Sequence, residues 1–148
     1  MGNYAEASKI QKQVLEKRKE ILGEDHPDTI FEMSNLAVYL NNLGNYGEAM
    51  EMGRQVLEKR KEILGEDHPD TIMAMHNLAV CLSDLGNYAE ASKIQKQVLE
   101  KQKEILGEDH PNTIVAMQNL SNSLSDLGNY AEALEMRKKN LDLRIVLH

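Results

Sequence analysis

"NLAVCLSDLGNYAEA", residues Asn77–Ala91, decides how the whole chain reads. Apolar residues at steps of three and four run up to Leu85 and make one helical stripe. Gly86 stops that helix, and Tyr88 opens another after a two-residue link. So short a link makes the two helices antiparallel neighbours. The pattern also stands at Asn35–Ala49 as "NLAVYLNNLGNYGEA" and at Asn119–Ala133 as "NLSNSLSDLGNYAEA".

Around it the chain repeats every 42 residues. Residues 3–44, 45–86 and 87–128 align without a gap, and their pairings agree at 30, 32 and 29 positions. A partial fourth copy fills 129–148. Agreement at that level means one unit stacked several times. The first helix of a unit is "PDTIFEMSNLAVYLNNL", Pro27–Leu43, with Ile30, Met33, Ala37, Leu40 and Leu43 inward. The second is "YGEAMEMGRQVLEKRKEIL", Tyr46–Leu64, with Tyr46, Ala49, Met52, Val56 and Ile63 inward. A lone second helix at Tyr4–Leu22 and a last one near Tyr130–Leu147 bring the number to seven, and no segment alternates as a strand does. Residues 1–148 are expected to form one repeat domain, a half unit at 3–22 followed by units at 23–64, 65–106 and 107–148.

Composition narrows the function. Seventeen Lys and Arg against 24 Asp and Glu give a net charge of −7, a poor match to a phosphate backbone. The run "LEKRKEILGED" (Leu15–Asp25) interleaves its basic residues with Glu16 and Glu20 and reads as a solvated helix face. A single cysteine, Cys81, excludes an internal disulfide and suits a reducing compartment. With no membrane-length apolar run and no signal peptide, the expected location is cytoplasmic, with neither membrane nor nucleic acid as partner. No glycine-rich phosphate loop, HExxH or CxxC is present, so no cofactor, metal or catalytic residue is expected.

These features resemble the tetratricopeptide repeat family. The shared residues are Asn77-Leu78-Ala79, Leu82, Leu85-Gly86, Asn87-Tyr88 and Glu90-Ala91. The family's usual period is 34 residues, and this unit carries eight more, in a longer second helix. Met75 stands where the family usually has Trp. The 42-residue form is similar to the repeats of kinesin light chain and of arrays attached to fungal and bacterial regulators. The resemblance implies an all-α fold, a right-handed α-solenoid of stacked antiparallel helix pairs. It also implies a concave face lined by first helices, on which a protein or peptide partner docks.

Each first helix carries a second stripe beside its core stripe. It consists of Phe31, Asn35, Val38 and Asn42 in the first unit. The second unit has Met73, Asn77, Val80 and Asp84, with His76 beside them, and the third has Val115, Asn119, Asn122 and Asp126. Asparagine recurs at one place in all three. An amide both donates and accepts, so such a ladder can bond an extended backbone without reading its sequence. All 17 Lys and Arg fall on second-helix segments, whereas Asp28, Glu32, Asp70, Asp84 and Asp126 lie on first helices. The expected function is therefore a non-catalytic scaffold for a neutral, apolar or basic peptide rather than an acidic one. The alternative is an idealised, engineered or recently duplicated array without a dedicated ligand. Apolar end helices, including "RIVLH" at Arg144–His148, would let either one self-associate.

One motif imitates a catalytic site. "GEDHPDT" at Gly23–Thr29 recurs at Gly65–Thr71, and as "GEDHPNT" at Gly107–Thr113. Stacked loops about 8–10 Å apart cannot bring His26, His68 and His110 to one ion. The structural reading is a joint: Gly23 ends one helix, Asp25 or His26 caps the next, and Pro27 starts it.

Overall fold

A computed structural model describes residues 2–147, excepting the side chains of Gly2, Tyr4 and 144–147. His148 and the apolar side chains of the "RIVLH" end therefore lie outside the described residues. Seven helices and no strand occur among the described residues: α1 (Gly2–Leu22), α2 (Pro27–Asn42), α3 (Tyr46–Leu64), α4 (Pro69–Asp84), α5 (Tyr88–Leu106), α6 (Pro111–Asp126) and α7 (Tyr130–Leu147). The chain divides into two compact units, 1–85 and 86–148. In the first, α1 packs on α2, α2 on α3 and α3 on α4. In the second, α5 packs on α6 and α6 on α7.

Local chemistry explains each joint. Gly65 follows α3 at φ 92° and ψ 162°, backbone that only glycine adopts readily. His68, not Asp67, then caps α4: its Nδ1 accepts the Asp70 N–H at 3.0 Å. His26 and His110 cap α2 and α6 in the same way, at 3.1 and 3.0 Å. The proline that follows each histidine gives up no hydrogen bond, because first-turn N–H groups have no helical partner. Within the unit the other link closes as a Schellman motif. Gly44 N–H bonds Asn41 O at 3.0 Å, and Asn45 N–H reaches back to Leu40 O at 2.9 Å.

Leu15, Ile30, Met33, Leu36, Leu40, Val56 and Leu78 are buried in the first unit, and Val98, Met117, Leu120 and Leu124 in the second. The alanines at Ala49 and Ala91 are fully buried, which lets paired helices approach closely. Met75, in the place usual for Trp, is buried as well. Of the expected core residues, Ala37, Leu43, Tyr46 and Met52 are half-buried, and one is exposed. Ile63 is 46% exposed, whereas Leu57, outside the expected stripe, is buried. The reason is length: α3 has 19 residues and its partners α2 and α4 have 16, so its last turn runs past them.

Candidate functional site

In the first unit α2 and α4 flank a cleft of about 240 Å³. Its floor is α3, at Ala49, Gly53 and Val56. Ala49 and Val56 are core residues common to the repeat. Gly53 is not, because the matched positions hold Gln11, Gln95 and Arg137. A glutamine in α1 shows what is missing here: Gln11 Nε2 reaches across to the Glu32 carboxylate on α2. Without that side chain, α3 leaves the space above Gly53 empty.

Four of the expected site residues, Val38, Asn42, Asn77 and Val80, meet in this cleft. Phe31, Asn35, Met73 and His76 are not among its lining residues. The asparagine ladder is therefore uneven: Asn77 turns into the cleft and Asn35 does not. Asp84 fastens the rim, its carboxylate accepting from Asn41 Nδ2 at 3.1 Å and so tying α4 to α2. In the second unit Val115 and Asp126 are exposed and Asn119 is half-buried. Asn122 Oδ1 accepts from Arg137 Nη2 at 3.3 Å, so a basic residue of α7 reaches the first-helix face there.

Sequence reasoning missed Ser34, Ala37, Asn41, Ala74 and Cys81, which also line the cleft. It followed one stripe per helix, whereas a cleft is walled by opposing sides of two helices. The signal that could have found it is the break in the repeat at Gly53.

The acids on the first helices are not equivalent. Arg18 of α1 lies 3.7 Å from the Asp28 carboxylate and 4.0 Å from that of Glu32. Arg60 Nη1 donates to the Asp70 carbonyl at 3.1 Å. These acids face the basic second helices, which leaves Asp84 as the carboxylate bound to the cleft wall. Burial pushes the Cys81 thiol above its usual range, and the charge of Asp84 adds to this. A thiol so held is protonated and a weak nucleophile. Burial lowers the His76 imidazole, which favours its neutral form. Among the described residues no group of three or more His, Cys, Asp or Glu could hold a metal ion. The histidines of the GEDHPDT joints serve as helix caps.

Paired antiparallel helices, recurring glycine joints and exposed first-helix faces define a helical-repeat protein. The sequence model described as tetratricopeptide repeat matches residues 1–62, 30–104 and 76–144, and the chain belongs to that family, one of protein-interaction scaffolds. No curated protein matches the chain. Among solved structures it is similar to the kinesin light chain-type, nearly identical TPR-like repeats of Podosopora anserina. There the identity is 24% and the TM-score 0.88, over 99% of this chain and 70% of that one. BtubC from P. vanneervenii is 22% identical with a TM-score of 0.85, over 99% and 58%. A Rap protein complexed with competence and sporulation factor is 16% identical with a TM-score of 0.76, over 95% and 38%. Among the described residues no helix is long and apolar enough to cross a membrane.

Proposed function

We propose that residues 1–148 act as one non-catalytic repeat domain that binds an extended peptide on the exposed faces of its first helices. The observation that carries this reading is the exposure of large apolar residues at matched positions within the first unit, Phe31 and Val38 on α2 and Met73 and Val80 on α4; Val115 on α6 is exposed at its own matched position. Large apolar side chains left in water at the same register are a docking surface rather than a core. Half-buried Asn35, Asn77 and Asn119 stand beside them to bond a peptide backbone. No Lys or Arg lies on these helices, so the favoured segment is neutral, apolar or basic. The fold neighbour complexed with competence and sporulation factor supports a binding role in general terms.

Titration with a basic peptide and its acidic counterpart of equal length tests the reading. The basic peptide binds more tightly, with an advantage that falls as salt rises. Changing Asn35, Asn77 and Asn119 together to alanine weakens it about tenfold while helicity is kept. Equal or reversed affinities overturn the charge argument, and full binding by the triple variant overturns the ladder.

A second reading, self-association of an array without a dedicated ligand, is favoured by α7. Tyr130, Leu134 and Leu141 are exposed there, whereas the matched Tyr46, Met50 and Leu57 of α3 are half-buried or buried. Light scattering then shows a mass that rises with concentration, and a strict monomer at every concentration excludes this reading.

A further inference from the structure

The cleft above Gly53 sets the second repeat apart. The stretch "NYAEASKIQKQVLEK" is identical at residues 3–17 and 87–101; it changes to "NYGEAMEMGRQVLEK" at 45–59 and to "NYAEALEMRKKNLDL" at 129–143, and only 45–59 puts glycine at the position of Gln11. Gly53 is the change that removes a long side chain from the face turned toward α2 and α4. A Cβ built at Gly53 meets Leu78 Cδ1 at 3.7 Å, an ordinary contact, so close helix packing does not demand glycine here. Glycine also costs helix stability relative to glutamine. What glycine does provide at this position is the cleft.

Its size and chemistry limit the occupant. At about 240 Å³ it falls below the roughly 300–1,000 Å³ of sites that bury a drug-sized ligand. Its walls carry the methyl groups of Val38, Val56, Val80 and the alanines, with amides at Asn41, Asn42 and Asn77, the Ser34 hydroxyl and the Cys81 thiol among them. No charged side chain lines it. The ionised group bound to its wall is Asp84, through Asn41. Its charge reaches inside, since it helps to raise the Cys81 thiol.

Resting on the peptide-binding reading, we propose that this cleft is a specificity pocket. It takes one aliphatic side chain of the partner peptide, with a lysine or arginine of that peptide placed beside it against Asp84. The buried aliphatic group supplies the affinity, because full burial of a leucine-sized side chain is worth about tenfold or more in binding. The cation sits at a wet rim and contributes a factor of a few, screened by salt. Gln95 and Arg137 carry long side chains where Gly53 carries none, so the second repeat sets the register of a bound chain.

The test uses the full chain and a capped peptide, acetyl-Gly-Ser-Lys-Leu-Lys-Ser-Gly-amide, followed by backbone amide shifts of Asn77 and Val80. The expected result is saturable shifts, weakened about tenfold when the peptide leucine becomes alanine and several-fold when its lysines become glutamate. Gly53→Gln, which restores the repeat's own residue, abolishes the leucine preference. Gly53→Ala leaves the cleft largely open and keeps it, which separates filling of the cleft from a change in helix stability. The proposal is overturned if the leucine and alanine peptides bind alike, if neither shifts these amides, or if Gly53→Gln binds as the unaltered chain does. The two readings fail separately. Loss of binding in the triple asparagine variant with full binding by Gly53→Gln leaves the peptide face standing and removes the pocket. The reverse pattern removes the asparagine ladder and keeps the pocket.

Discussion

Truncating Leu40 to alanine is expected to destabilise the fold by about 2–5 kcal/mol, the range for emptying a packed leucine site. Leu40 is 1% exposed, in the middle of the α2 core stripe. Its loss removes both transfer free energy and dispersion contacts, and the helices pinned by glycine joints cannot collapse to refill the space. Val38, two residues earlier, is 46% exposed on the cleft side. Val38→Ala is expected to stay within about 0.5 kcal/mol, as surface changes do. Urea unfolding followed by helical circular dichroism checks the pair. Equal midpoints for the two variants would mean that the core and binding stripes of α2 have been assigned the wrong way round.

The same substitution at two glycines is expected to act with opposite signs. Gly65→Ala costs about 1–3 kcal/mol, since φ 92° with ψ 162° belongs to a region that side chains strongly disfavour. Gly47→Ala stabilises by about 0.5 kcal/mol, since Gly47 lies inside α3 and the matched positions already hold Ala5, Ala89 and Ala131. A Cβ at either glycine meets nothing within 4 Å, so backbone conformation alone sets the sign. Thermal unfolding of the two variants reads it directly. A neutral Gly65→Ala would show that the joint relaxes to ordinary backbone and that glycine is not what stops α3.

Most of the fold was legible because periodicity is a local property. The bounds of α2 to α6 follow from Pro27, Pro69 and Pro111 at the first-helix starts and from glycines just past the helix ends, and the helices lie there to within a residue. The GEDHPDT joint was legible as structure, but its cap was open between Asp25 and His26. Side-chain direction settles it, because His26 Nδ1 points back at the Asp28 N–H. The stripe on α3 was read one turn too far, at Ile63. A helical wheel shows which residues share a face but not where the neighbouring helix stops.

The candidate site was half legible. Val38, Asn42, Asn77 and Val80 were found from the second stripe and do share one cleft. Asn35 sits at the same register as Asn77, yet it faces the other way relative to the α2–α4 pair. Identical sequence positions become different environments once a helix has a neighbour on one side only.

By itself the sequence determined the helical class, the seven elements and the spacing of the joints, because helix propensity, capping and glycine stops act within a few residues along the chain. Only the tertiary structure decided that Gly53 matters. A missing side chain has no signature in periodicity, and it becomes a cleft only when two further helices are packed across the gap. The structure likewise decided that Arg18 pairs with the Asp28 carboxylate and that Arg60 bonds the Asp70 carbonyl under the influence of its charge, while Asp84 stays with the cleft wall. Charge pairing depends on distance through space, which the 42-residue repeat does not encode.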